Sequence, residues 1–94
     1  MNYSAINHPE KSIYTVDLGN DDQALLKYSK NGDELMILHT EVPAHLRGGG
    51  YGKILMETVL KELESQNLRV VPICSYARIY MQRNSQWHHL LGQQ

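Results

Sequence analysis

Arg47-Gly48-Gly49-Gly50-Tyr51-Gly52-Lys53 stands between an apolar run, Glu34 to Val42, and an amphipathic segment, Tyr51 to Gln66. Four glycines in five positions leave the backbone bare, so a large anionic group can approach its N–H donors directly. The segment that follows has the period of a helix, and its positive dipole end points at the same spot. Arg47 and Lys53 add a cation on either side. The chemistry this stretch suits best is the binding of a pyrophosphate.

The elements around the loop follow from periodicity. Ile13, Tyr14, Thr15 and Val16 make Ser12 to Leu18 β-rich, and Gly19-Asn20-Asp21-Asp22 reads as a turn. Gln23 to Ser29 alternates, with Ala24, Leu26 and Tyr28 on one face. Asn31-Gly32 is a hairpin signal. Leu35, Met36, Ile37 and Leu38 form a continuous apolar run suited to a central strand, ended by Pro43. On the helix after the loop, Ile54, Leu55, Val59 and Leu63 form one stripe, with Met56 and Leu60 beside it. Lys53, Glu57, Lys61 and Glu64 take the wet side. Asn67 is a left-handed stop followed by apolar Leu68. Arg69 to Ile73 reads as a short strand and Ser75 to Arg83 as a second helix, and Trp87 and Leu90-Leu91 are expected to pack on the core. The order is β-β-β-α-β-α. This predicts an α+β fold with a mixed sheet, in which an antiparallel meander is followed by a helix, a parallel strand and a C-terminal helix. Residues 1–11 are polar, with His8-Pro9 as a breaker, and are expected as an N-terminal arm. Residues 12–94 are expected as one domain.

Composition narrows the function classes. The 94 residues are 41% hydrophobic and 20% charged, ordinary values for a globular domain. A net charge of −1 argues against broad electrostatic binding to nucleic acid. No apolar run reaches the ~20 residues of a membrane span, and Met1-Asn2-Tyr3-Ser4 lacks the blocks of a signal peptide. Cys74 is the single cysteine, and a free thiol points to a reducing compartment, hence a cytoplasmic protein. His88-His89 with Cys74 matches no metal-ligand spacing, so no metal is assigned. The expected partners include neither nucleic acid nor membrane, and the expected state is a monomer or homodimer.

Known phosphate loops can be tested by spacing. A P-loop ending at Gly52-Lys53 needs Gly at position 47 and Ser or Thr at 54, where the chain has Arg47 and Ile54. A dinucleotide fingerprint starting at Gly48 meets Lys53 where its third glycine belongs. The pattern Arg/Gln-x-x-Gly-x-Gly/Ala fits fully, with Arg47, Gly50 and Gly52. It is the acyl-CoA pyrophosphate loop of the GNAT N-acetyltransferase superfamily, which the chain thus resembles. The resemblance runs on through Leu38-His39-Thr40-Glu41-Val42-Pro43, Leu46-Arg47-Gly48, Val70-Val71-Pro72-Ile73-Cys74-Ser75 and Tyr80, and is to the small YjdJ-type branch. Two departures stand out. The N-terminal helices that help wall the acceptor site in longer members have no counterpart. The branch tends to carry His-Pro-Glu-Tyr where this chain has Asn84-Ser85-Gln86-Trp87.

The resemblance implies a compact GNAT-like domain in which two neighbouring strands, here Glu34–Val42 and Arg69–Ile73, splay apart. It implies that the backbone of Glu41 and Val42 binds pantetheine amides. It also implies that the N–H groups of Leu46, Arg47, Gly48, Gly49, Gly50, Tyr51, Gly52 and Lys53 cradle the pyrophosphate of acetyl-CoA, with CoA as product. The implied activity is acetyl transfer to a small-molecule or protein amine. The alternative is a non-catalytic module that binds acyl-CoA or joins a partner protein.

Such a transfer needs a neutral amine, a polarised thioester carbonyl and a proton for the departing thiolate. Cys74 follows the short strand, beside where the family places the thioester. It suits an acetyl acceptor or a proton donor, and equally a small buried hydrophobe. The family analogy makes Tyr80 a general acid; the same tyrosine also suits aromatic packing. His39 and Glu41 share a side of their strand, and either can take a proton from an ammonium group. Both also suit structural roles. Arg78 and Arg83 reach the CoA 3′-phosphate only if the last helix is set as in the family.

Overall fold

The computed structural model describes residues 3–92. Five strands stand in chain order in one sheet: β1 (Ala5–His8), β2 (Ile13–Gly19), β3 (Asp22–Asn31), β4 (Glu34–Glu41) and β5 (Arg69–Pro72). The first four are antiparallel, and β5 runs parallel to β4. The chain crosses from β4 to β5 through α1 (Tyr51–Ser65), and α2 (Ser75–Arg83) follows β5. Short 3-10 helices cover Ala44–Leu46 and Ser85–Leu90. This is the mixed α+β architecture that the periodicity predicts.

The expected arm is corrected in part. Residues 1 and 2 lie outside the described residues, but Ala5–His8 forms the edge strand β1 on β2. Its polar side chains hide it in the sequence and tie it down in the fold. The Tyr28 hydroxyl donates to Asn7 Oδ1 at 2.7 Å, and His8 Nε2 lies 2.9 Å from Thr15 Oγ1. Pro9 does act as a breaker: β1 stops at His8, and the Lys11 N–H closes a turn onto the His8 carbonyl.

The turns follow local chemistry. Asn20 and Asp21, both at positive φ (53° and 64°), link β2 to β3 as a mirror-image turn requires. The second hairpin is shifted by one residue from its expected place. Asn31 pairs with Glu34, so Gly32-Asp33 forms the loop, with Gly32 at φ 63°. Helix α1 ends as expected, on left-handed Asn67 at φ 59°. The Asn67 N–H donates to the Glu64 carbonyl and the Leu68 N–H to the Leu63 carbonyl, at 3.0 and 3.1 Å, a Schellman ending. Leu68 and Leu63 are both buried, the apolar contact that accompanies it.

One sheet face holds the core. Directly paired residues share a face, and Tyr14 with Leu26, Val16 with Ala24, and Tyr28 with Ile37 are all buried. Leu55, Met56, Val59, Leu60 and Leu63 of α1 pack against them. Ala77, Tyr80 and Met81 of α2 and Trp87 and Leu90 of the tail join the same cluster. Each large aliphatic side chain buried this way stabilises by about 1.5–3 kcal/mol. The other face, with Ile6, Ile13, Leu25, Lys27, His39 and Glu41, carries no helix among the described residues.

Candidate functional site

The site begins where β4 and β5 part. They pair from Glu34 with Arg69 to Ile37 with Pro72. The Ile37 carbonyl then accepts the N–H groups of both Ile73 and Cys74, at 3.0 and 2.9 Å, as the chain turns into α2. Beyond Ile37, β4 runs on to Glu41 paired to β3 alone. Its β5-facing backbone groups therefore line a gap, where an extended amide-bearing chain can add as a strand would.

The glycine loop closes one end of this gap. Gly48 and Gly50 have φ of +87° and +83°, a conformation that favours glycine. Gly49 and Gly52 are bare for a different reason. A Cβ on Gly49 would stand 2.9 Å from the Tyr51 ring, and one on Gly52 only 2.5 Å from the Tyr76 hydroxyl oxygen. Gly50 caps α1 without a side-chain hydrogen bond, and no acidic residue sits in the first turn. The first amides of α1, which have no acceptor within the helix, thus face a cavity of about 320 Å³. Val42, Leu46, Arg47, Tyr51 and Tyr76 line it together with Gly48, Gly50 and Gly52. A larger cleft of about 540 Å³ between β1 and α1 shares none of these residues, and its lining includes the carboxylates of Glu57 and Glu62.

Cys74 stands at the N-cap of α2, half-buried against the core. Its Sγ lies 3.7 Å from Thr40 Oγ1, across the gap on β4. Burial pushes the thiol up, but the Ala77 amide, the Thr40 hydroxyl and the Tyr76 and Thr40 amides together hold it below its ordinary value.

A family model of the GCN5-related N-acetyl-transferases matches residues 13–90. The chain belongs to this family. The fold agrees with the solution structure of a GCN5-like protein from Staphylococcus aureus, with a TM-score of 0.71 at 24% identity over 97% of this chain and 90% of that one. For a GCN5-related transferase, the residues present fit a CoA pyrophosphate. The loop is one that Cβ atoms would fill or strain at every glycine, and Arg47 and Lys53 flank it.

Other candidates fall on both sides of β4. His39 Nε2 and Glu41 Oε1 lie 3.2 Å apart, as their shared side implies, but on the open sheet face. Glu41 lines a second cavity of about 260 Å³ with Gln23, Leu25 and Pro43; Val42 and Arg47 belong to both this cavity and that of the loop. A bulge makes the division. Lys27 pairs with His39 but Tyr28 with Ile37, so Leu38 is an extra residue on β4. Ile37 and Thr40 therefore both face the helices, while His39 and Glu41 face away. Strict alternation from Ile37 would have reversed this. Thr40 escapes a reading of the sequence for that reason.

Tyr80 is buried, and among the described residues its hydroxyl makes no hydrogen bond of good geometry, the Trp87 ring N–H meeting it only imperfectly. Burial raises its pKa, nearby Glu57 and Tyr76 add to the rise, and Trp87 opposes it. Tyr76, by contrast, is partly exposed at the cavity wall, over Gly52. Arg78 donates to the Ile73 carbonyl at 2.9 Å and so fastens the end of β5. Lys53 lies 3.9 Å from Glu57 in an exposed pair, and its side chain remains at the edge of the loop.

Proposed function

We propose that this protein is an acetyl-CoA-dependent N-acetyltransferase of the small YjdJ-type branch, acting in the cytoplasm on a small-molecule or protein amine. The observation that carries the reading is the parting of β4 from β5 after Ile37, next to a glycine loop at the start of α1. The gap takes the pantetheine arm against the backbone of Glu41 and Val42. The N–H groups of Gly48, Gly50, Tyr51, Gly52 and Lys53 hold the pyrophosphate, with Arg47 and Lys53 adding charge, while those of Leu46, Arg47 and Gly49 donate instead to the carbonyls of Pro43, Ala44 and Leu46. Bound acetyl-CoA supplies the acetyl group as an activated thioester. Cys74 stands beside the gap with its thiol pKa lowered: as thiolate it accepts the acetyl group, or as neutral thiol it gives its proton to the departing CoA thiolate. His39 and Glu41 take a proton from the incoming ammonium on the open face, where the second cavity lies. Tyr80 is the candidate proton donor from the core side.

The uncovered sheet face also supports the alternative, an acyl-CoA-binding module, since the acceptor side has no outer wall of helices. Thermal shift decides the first step. A ligand at 100 times its Kd stabilises by ~2.7 kcal/mol, several degrees for a domain of this size. Acetyl-CoA and CoA are expected to shift the melting temperature, and ATP with magnesium is not. No shift with either CoA species removes both readings. A shift without acetyl transfer across a panel of amines and lysine peptides leaves the binding module.

A further inference from the structure

Among the described residues, the side-chain hydrogen bond of Cys74 comes from the opposite strand. Thr40 Oγ1 reaches Cys74 Sγ at 3.7 Å, within range for a sulfur hydrogen bond. The contact depends on two features of the backbone. The bulge at Leu38 turns Thr40 to the helix side of the sheet, where His39 or Glu41 would otherwise point. The double acceptance by the Ile37 carbonyl turns the chain sharply at Cys74, so the sulfur faces back toward β4.

We propose that Thr40 is a positioning residue for Cys74: its hydroxyl donates to the sulfur, orients it along the β4–β5 gap and favours its thiolate form. The proposal rests on the reading of that gap as the acyl-CoA site. The groups acting on the sulfur come from two elements. The first turn of α2 contributes the Ala77 and Tyr76 amides, and β4 contributes the Thr40 hydroxyl and amide. All are dipoles; the nearby Arg78 guanidinium is engaged on the Ile73 carbonyl, and the Thr40 hydroxyl is the part that a substitution can remove alone. Threonine suits the task because its branched side chain has restricted χ1 freedom on a strand. The oxygen is thereby held toward the sulfur at little entropic cost.

The test needs no bound ligand. The rate of Cys74 alkylation by iodoacetamide is measured from about pH 6 to 10, a range spanning the ordinary thiol pKa, in wild type, Thr40→Val and Thr40→Ser. Valine keeps the shape and the backbone amide but removes the donor. It is expected to slow alkylation at neutral pH by about three- to tenfold, the scale of one ordinary hydrogen bond. It is also expected to move the midpoint of the profile upward. Serine is expected to restore both. Thr40→Ala against Thr40→Ser makes the same comparison should valine fail to fold. Wild-type profiles in both donor-less variants overturn the proposal, as does a slow profile in Thr40→Ser. The thermal shift with CoA, run on the same proteins, reports separately on the acyl-CoA reading. It is expected to persist in Thr40→Val. Its absence in wild type, with the alkylation profiles as expected, strikes that reading while the Thr40–Cys74 pair stands.

Discussion

Gly52 and Tyr76 bring the first turns of the two helices together with no space for a side chain between them. A Cβ at Gly52 would lie 2.5 Å from the Tyr76 hydroxyl oxygen and 2.9 Å from the ring carbon that bears it. Tyr76 is 43% exposed, so its ring can swing outward. In Gly52→Ala, about 0.5–1 kcal/mol of helix propensity offsets the cost of that movement. The melting temperature of the free protein is expected to change little. The displaced ring reshapes the loop cavity, so CoA affinity is expected to fall at least about tenfold, or ~1.4 kcal/mol. A calorimetric titration alongside a thermal melt separates the two effects, and unchanged affinity would detach Tyr76 from the site.

Gly50→Glu acts on the same loop by strain and charge. The residue sits at φ +83°, which costs a residue with a Cβ about 1–2 kcal/mol. Its carboxylate enters a site built from N–H donors. The thermal shift with CoA is expected to vanish, while a folded far-UV spectrum persists. A retained shift would sink the phosphate-loop assignment.

Cys74→Ala separates chemistry from binding. The side chain is half-buried, so the loss of stability is expected to stay within about 1–2 kcal/mol. CoA binding is expected to remain and acetyl transfer to fall by two orders of magnitude or more, about 3 kcal/mol of barrier. Equal rates would remove the sulfur from the mechanism. The thiol is also linked to stability. Its folded pKa lies below its unfolded value of about 8.5, so its contribution is full above that value and is lost as pH falls through the folded pKa. The gap in melting temperature between wild type and Cys74→Ala is therefore expected to widen from neutral pH toward pH ~9.

Much of this architecture is legible in the sequence because local chemistry and fold agree. The glycine loop, the α1 stripe and the stop at Asn67 each combine period, cap and turn residues that point one way. Three features escape for physical reasons. The edge strand β1 has polar residues whose partners, Tyr28 and Thr15, lie in other strands. The Asn31-Gly32 signal locates a hairpin but leaves its loop uncertain by one residue, and Gly32-Asp33 takes the turn. The bulge at Leu38 has no mark of its own, since Leu38 continues an apolar run. Yet it decides which side chains of β4 meet Cys74, and thus that Thr40 belongs to the site.

Asn67 offers a test of the fold alone. At φ 59° it sits where alanine is strained by about 1–2 kcal/mol and glycine is not. Asn67→Ala is expected to lower the melting temperature by roughly 4–8 °C for each kcal/mol lost, and Asn67→Gly to leave it nearly unchanged. Equal losses in both would mean that the Asn67 side chain, and not the backbone turn, stabilises the end of α1.

Tyr80 joins stability and mechanism in one side chain. Its hydroxyl is buried and, among the described residues, met only imperfectly by the Trp87 ring N–H; a hydrogen bond left unmade there costs up to about 1–3 kcal/mol. Tyr80→Phe removes that group and is expected to hold or raise the melting temperature at neutral pH. Burial first, then Glu57 and Tyr76, raise the folded pKa of this acid above its unfolded value near 10. Its contribution is therefore full below that value and is lost as pH climbs toward the folded pKa. Tyr14 and Tyr76, also raised by burial, add to the same alkaline loss. Tyr80→Phe is expected to lose less stability than wild type above pH ~10, measured by urea unfolding across that range. If the hydroxyl also donates a proton in turnover, the variant lowers kcat and leaves CoA affinity unchanged. A lower melting temperature at neutral pH with full kcat would mean that the hydroxyl is bonded in solution and takes no part in the reaction.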